Sequence, residues 1–248
     1  MSLRFENAEF IGERGSWVKL RSHKHAVLLA AILGVALVES FSHRLLLGPV
    51  VSDLVISATL LLAFQVIFDR KINRRVAFIA LSVAVASAWA HYVLPSSVPQ
   101  DPLRLANHVA LLLLFGYATI VMLRSIFEQR VVRTDDVLGA VCGYILAAGA
   151  WANLYMLVEI FAPGCFSLGQ GFGMGLDTWH GRVAVMNYVS LGSLTGVGSG
   201  QVVAVRPPAT LLTTLEAVFG QFYIAVVVAQ LVGARLAQGS KPDASAET

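Results

Sequence analysis

Six uninterrupted apolar blocks organise this chain, running roughly from Ala26 to Ser42, Leu46 to Phe68, Val76 to Leu94, Leu105 to Leu123, Val137 to Phe161 and Leu211 to Val232. A run of about 18 or more apolar residues is long enough to cross a bilayer as a helix. Over 248 residues, 56% are hydrophobic and 13% charged, and that charge share is about half of what a globular domain carries. The expected fold class is therefore an all-α membrane protein with six transmembrane helices. A seventh, semi-apolar stretch from Val183 to Leu194 is too short to cross a hydrocarbon core of about 30 Å. It reads as a re-entrant element.

The basic residues give the orientation, because Lys and Arg near helix ends are retained on the cytoplasmic side. With the amino terminus inside, only Arg44, Arg104, Arg182 and Arg206 of the 18 Lys and Arg residues fall outside. Both termini are expected to be cytoplasmic. This asymmetry accounts for the net charge of +3, so the charge gives no argument for a nucleic-acid partner; the lipid bilayer is the partner it implies. The segment before the first block carries both signs of charge and no small-residue cleavage site, so the first helix is expected to be retained. Phe5, Phe10, Ile11, Trp17 and Val18 within it suggest an interfacial helix over Phe5 to Leu20. Cys142 and Cys165 are too few and too far apart for a disulfide framework or a metal site.

Four segments follow from this pattern: a cytoplasmic amino-terminal segment (1–25), a four-helix transmembrane unit (26–130), a pore module (131–236) and a disordered cytoplasmic tail (237–248), with no cytoplasmic ligand-binding domain expected. The fourth helix lacks the Arg or Lys at every third position that a voltage sensor needs. Only Arg104 and Arg124 flank its apolar run. About fifty residues then separate Phe161 from Leu211, and loops this long in compact folds are usually functional.

That loop contains Asn187-Tyr188-Val189-Ser190-Leu191-Gly192-Ser193-Leu194-Thr195-Gly196-Val197-Gly198-Ser199-Gly200-Gln201, a short helical stretch leading into alternating glycines. A backbone that turns successive carbonyls toward one axis visits left-handed dihedrals, which glycine adopts cheaply. Non-helical backbone at membrane depth is tolerated only where protein buries it or water fills the space beside it. The carboxyl end of the short helix points inward, and its partial negative charge favours a cation there. Thr195 either caps this helix or faces the inner cavity.

This constellation resembles the six-helix, pore-loop potassium channels, particularly bacterial ones with a two-helix pore module. The resemblance covers Trp151 to Gly233 and, in number and arrangement only, the first four helices. The family filter reads Thr-Val-Gly-Tyr-Gly-Asp, and its places fall on Gly196, Val197, Gly198, Ser199, Gly200 and Gln201. Val197, Gly198 and Gly200 match. The resemblance implies an ion filter formed by Thr195 to Gly200, supported by Gln201 and Tyr188, with Gly220 in Leu215-Glu216-Ala217-Val218-Phe219-Gly220-Gln221-Phe222-Tyr223 as the gating hinge; Glu159 and Glu216, ionisable residues that flank the pore module, are expected to support the filter by bonding the outer loop behind it, with direct ion binding as the alternative. Gly196 lacks the family's threonine hydroxyl, Ser199 is too small to pack as its tyrosine does, and Gln201 lacks the charge of its aspartate. Potassium selectivity depends on how many carbonyls hold the ion and how firmly, so it is expected to be weakened.

The implied function is the pore-forming subunit of a homotetrameric cation channel, not voltage-sensing, in a bacterial inner membrane. Potassium is the expected permeant ion, with sodium as the alternative, and no cofactor or bound metal is implied beyond it. A poorly selective cation pore and a non-conducting sensor or assembly protein are the alternatives. The six His are dispersed, with no Ser, His and Asp grouping, so no enzymatic activity is expected. Glu39 and Asp53 are expected to pair with His91 or Arg104.

Overall fold

Each apolar block becomes a helix in the computed structural model, which describes residues 23–42, 48–68, 71–95, 99–128, 133–169, 176 and 178–239. The helices are α1 (Lys24–Ser42), α2 (Gly48–Ile67), α3 (Lys71–Val93), α4 (Asp101–Glu128), α5 (Thr134–Phe161), α6 (Trp179–Thr195) and α7 (Pro207–Gly239). Among the described residues, α2, α4, α5 and α7 are each long and apolar enough to cross a membrane by length and composition. The proposed interfacial segment Phe5 to Leu20, the end of the tail from residue 240, and much of the glycine-rich stretch before α6 lie outside the described residues.

Local chemistry sets the helix ends. Asp135 and Asp136 sit in the first turn of α5, where negative charge complements the helix dipole. The Asp136 carboxylate also accepts the Arg133 backbone N–H at 2.8 Å, satisfying one of the donors that a helix start leaves free. Thr178 caps α6 by accepting the Gly181 N–H at 3.1 Å. Pro207 opens α7, where a missing N–H costs nothing.

The expectation of an all-helical chain needs one correction. Phe166–Leu168 (β1) pairs antiparallel with Val202–Ala204 (β2), placing Phe166 opposite Ala204 and Leu168 opposite Val202. Three residues per strand are too few to show an alternating pattern, and the partners lie on either side of α6, so no local signal announces the pairing.

α5 is the centre of the molecule. On one side it joins a core of Leu28, Leu60, Phe64, Leu81, Leu114 and Met122, contributed by α1 to α4. On the other its Tyr155 and Met156 pack with Val185, Met186, Val189, Val202 and Ala209 from α6, β2 and α7. Small residues allow this crowding: a Cβ on Gly143 would come within 2.7 Å of the Tyr223 hydroxyl, and one on Gly149 within 2.9 Å of the Phe115 ring. Close backbone approach of this kind is how helices associate without a hydrophobic drive between them.

The two ends of the bundle are tied separately. At one end the His25 backbone N–H donates to Asp135 at 3.2 Å, and the His25 ring nitrogen Nδ1 lies 2.9 Å from the same carboxylate, joining the starts of α1 and α5. At the opposite end Tyr92 donates to Asp53 at 2.9 Å, and Trp89 donates to Ser57 at 3.1 Å, joining α2 to α3. Asp53 thus takes a hydroxyl from α3, while the Arg104 guanidinium lies over the Trp179 ring, 4.5 Å from its centroid. The side chain of His91 is outside the described residues.

Candidate functional site

The segment between α5 and α7 enters and leaves at the same end of the bundle. Its helix α6 starts at Trp179, beside Arg104 and His108 of α4; the His108 and Trp179 ring centroids are 5.2 Å apart. Its return strand β2 ends on Phe166, just beyond the end of α5. Between these points α6 runs antiparallel to α5: the Ser190 hydroxyl lies 2.7 Å from the Ala148 carbonyl, and Tyr144 donates to the Leu194 carbonyl at 2.8 Å. The deepest point is the Leu194 to Gly196 turn. At about 1.5 Å of helix rise per residue, its neighbour Gly220 is about 20 Å along α7 from Pro207, and α7 continues past it to Gly239.

Gly196 makes the turn. It caps α6 in the left-handed region at φ 75°, with its N–H on the Ser193 carbonyl at 3.0 Å. Gly198 and Gly200 also have positive φ, 82° and 49°, so the alternating glycines occupy backbone that side chains rarely adopt. The chain then climbs back along α6. The Gly198 N–H donates to the Gly192 carbonyl at 2.9 Å, and a Cβ on Gly192 would stand 2.8 Å from the Gly198 oxygen. Gly200 reaches the level of Tyr188, whose hydroxyl lies 3.8 Å from where a Gly200 Cβ would be. Gln201 is exposed, and its carbonyl accepts the Gly169 N–H at 2.6 Å as the chain enters β2.

The remaining sequence-selected residues fall around this hairpin. The Thr195 hydroxyl turns back onto its own helix, donating to the Leu191 carbonyl at 2.7 Å with the Gly192 carbonyl 3.2 Å away. Ser199 does not lean on α6; its hydroxyl donates to the Val202 carbonyl at 2.9 Å, and its own carbonyl accepts the Val202 N–H at 3.0 Å. Val197 is 85% exposed and lies on the open face of the chain. Glu159, buried in the last turn of α5, accepts the N–H groups of Gly164 at 2.7 Å and Cys165 at 3.0 Å, fixing the loop that leads into β1. Gly220 is buried where a Cβ would overlap the Leu194 carbonyl, which gives this glycine a packing reason within an unbroken α7.

Glu216 is fully buried behind α6. Tyr155 of α5 donates to its Oε2, and the Ser190 hydroxyl of α6 lies 2.5 Å from its Oε1. A carboxyl group so far from water persists only when both oxygens are hydrogen-bonded, and here the partners come from the two helices flanking α7. The cluster locks α5, α6 and α7 at one depth, about one turn above the Leu194 carbonyl at the hairpin tip. Tyr155, Ser190 and Tyr144 were not singled out from sequence. Their one signal is a hydroxyl group within a helical segment.

A second polar group fixes the entry of α6. Asn153 Nδ2 donates to the Gly149 carbonyl at 2.7 Å, which turns its Oδ1 toward His108 Nδ1 at 2.7 Å and assigns the hydrogen to that nitrogen. His108 is 4% exposed. Among the described residues no group of three or more His, Cys, Asp or Glu side chains is placed to hold a metal ion, and both cysteines are buried free thiols.

Comparisons with protein families, with characterised proteins and with solved structures find no match to this chain.

Proposed function

We propose that this chain is the pore-forming subunit of a cation channel of the potassium-channel type, in which four copies surround an axis and each contributes one hairpin. Six helices, α1 to α5 and α7, span a bacterial inner membrane with both termini in the cytoplasm, and α6 dips in from the outer side. The observation that carries this reading is the course of residues 179–205: a helix runs inward, turns at Gly196 and returns as glycine-rich backbone to the end it entered from. Irregular backbone at that depth is tolerated only where it lines a water-filled space or is buried in protein. Val197 and Gly198 are exposed in the single chain, and α7 carries an exposed apolar face of its own in Leu211, Leu215, Val218 and Phe222. Cyclic assembly covers such a face and sets the exposed backbone on a shared axis. The absence of spaced arginines from α4 argues against voltage sensing.

A poorly selective pore is the second reading, and Ser199 favours it. Its side chain bonds to its own loop instead of bracing against α6, and its carbonyl is engaged by Val202. Fewer and less rigid oxygens around an ion discriminate less between potassium and sodium. Purified protein in liposomes with opposing potassium and sodium gradients tests both readings. A reversal potential at the potassium equilibrium value supports the selective filter, an intermediate value supports the weakly selective pore, and no current from an intact assembly overturns conduction.

A further inference from the structure

The geometry points to Gln221 as a cation ligand at the inner mouth of the pore, supplying through its side-chain amide oxygen the contact that Gly196 lacks. This inference rests on the channel reading above and names the chemistry of its inner end.

The position of Gln221 follows from its neighbours. Gly220 touches the Leu194 carbonyl, which holds α7 at the level of the hairpin tip and puts the next residue beside the turn. A Cβ built on Gly196 would lie 2.9 Å from Gln221 Nε2. The carboxamide therefore occupies the space into which a side chain at 196 would project. Residues 195 to 198 are exposed on this side of the chain, and so is Gln221.

Several other polar side chains of α7 already have partners. Thr210, Thr213 and Thr214 donate to carbonyls of their own helix or of β2. Glu216 is bonded by Tyr155 and Ser190, and Tyr223 donates to the Ala140 carbonyl at 2.8 Å. The Gln221 side chain makes no hydrogen bond with the described residues. A primary amide facing lipid near the bilayer centre would leave two donors and an acceptor without partners, at a large desolvation cost. Polar side chains at that depth face the bundle interior or a water-filled cavity.

The chemistry suits a monovalent cation. An amide oxygen is the same kind of ligand as a backbone carbonyl, so Gln221 extends the set of oxygens without adding charge. Its N–H groups can meanwhile hold water that the ion keeps. The carboxyl end of α6, directed at the same place, adds its partial negative charge. Four copies around an axis make a ring of four amides just below the filter.

The test pairs a labelling readout with a current readout in reconstituted full-length protein. Gln221→Cys is exposed to a membrane-impermeant methanethiosulfonate from the side opposite the β1 and β2 ribbon, with modification read by mass spectrometry against the parent. The expected result is rapid modification, slowed by tetrabutylammonium on the same side. Gln221→Leu is expected to lower single-channel conductance by about two- to tenfold, the range that one net hydrogen bond spans, and Gln221→Glu to raise affinity for tetrabutylammonium. Modification of the Cys variant only by a lipid-soluble maleimide overturns the inference, and so does a Gln221→Leu channel that conducts like the parent; both leave the channel reading standing. Aqueous labelling in a protein whose parent carries no current overturns both the ligand role and the channel reading. If Gln221→Leu does not assemble, the Cys and Glu variants decide.

Discussion

Gly220 of α7 lies so close to the Leu194 carbonyl, the last of α6 to be held by another helix, that no side chain fits between them. This contact registers α7 against the tip of the hairpin that follows α6. It gives Gly220 a packing role beside the hinge role that the resemblance implies.

Gly220→Ala is expected to destabilise the module by about 1 to 3 kcal/mol, since the added methyl meets backbone that cannot rotate away. Gly233→Ala, where a Cβ has open space, serves as the control and is expected to be neutral or slightly stabilising. Thermal unfolding in detergent checks the pair. A Gly220→Ala protein as stable as the parent but altered in gating would favour the hinge role instead.

The Glu216 cluster is expected to behave as one unit. Tyr155→Phe leaves a buried carboxyl oxygen without its donor, at about 1 to 3 kcal/mol, and Ser190→Ala does the same on the other side. In a double-mutant cycle, Tyr155→Phe with Glu216→Leu should cost less than the sum of the single changes, because the second removes the group that the first strands. Additive losses would show that the hydroxyl and carboxyl do not interact.

Gly196 should tolerate Asn better than Thr. Its φ of 75° costs a β-branched residue about 1 to 2 kcal/mol, whereas Asn enters the left-handed region more easily. Introducing threonine at this place is thus expected to lower the yield of assembled protein, measured by size-exclusion chromatography. Equal recovery of Gly196→Thr and Gly196→Asn would contradict the left-handed turn.

Glu159→Gln is expected to loosen the loop after α5 locally. The carboxylate serves two backbone N–H groups, and an amide retains only one acceptor. Hydrogen exchange at Gly164 and Cys165 should accelerate, by about tenfold for each 1.4 kcal/mol lost, while exchange in the middle of α5 stays unchanged. Uniform acceleration along α5 would place the role of Glu159 in global stability.

The helices and the glycine turn are legible in the amino-acid sequence. Helix formation in an apolar run is a local consequence of length and backbone satisfaction, so the six blocks map onto α1 to α5 and α7 within a few residues. The alternating glycines likewise announce positive φ, which three of them adopt in the turn and return strand. Which polar groups meet follows from how the helices pack. Tyr155, Ser190 and Glu216 are far apart in the chain and converge because α5, α6 and α7 cross at one depth. β1 finds β2 across α6, and Gln221 reaches Gly196 because Gly220 admits the Leu194 carbonyl. Periodicity records which face of a helix is apolar; depth and rotation against a neighbour depend on packing that no single segment contains.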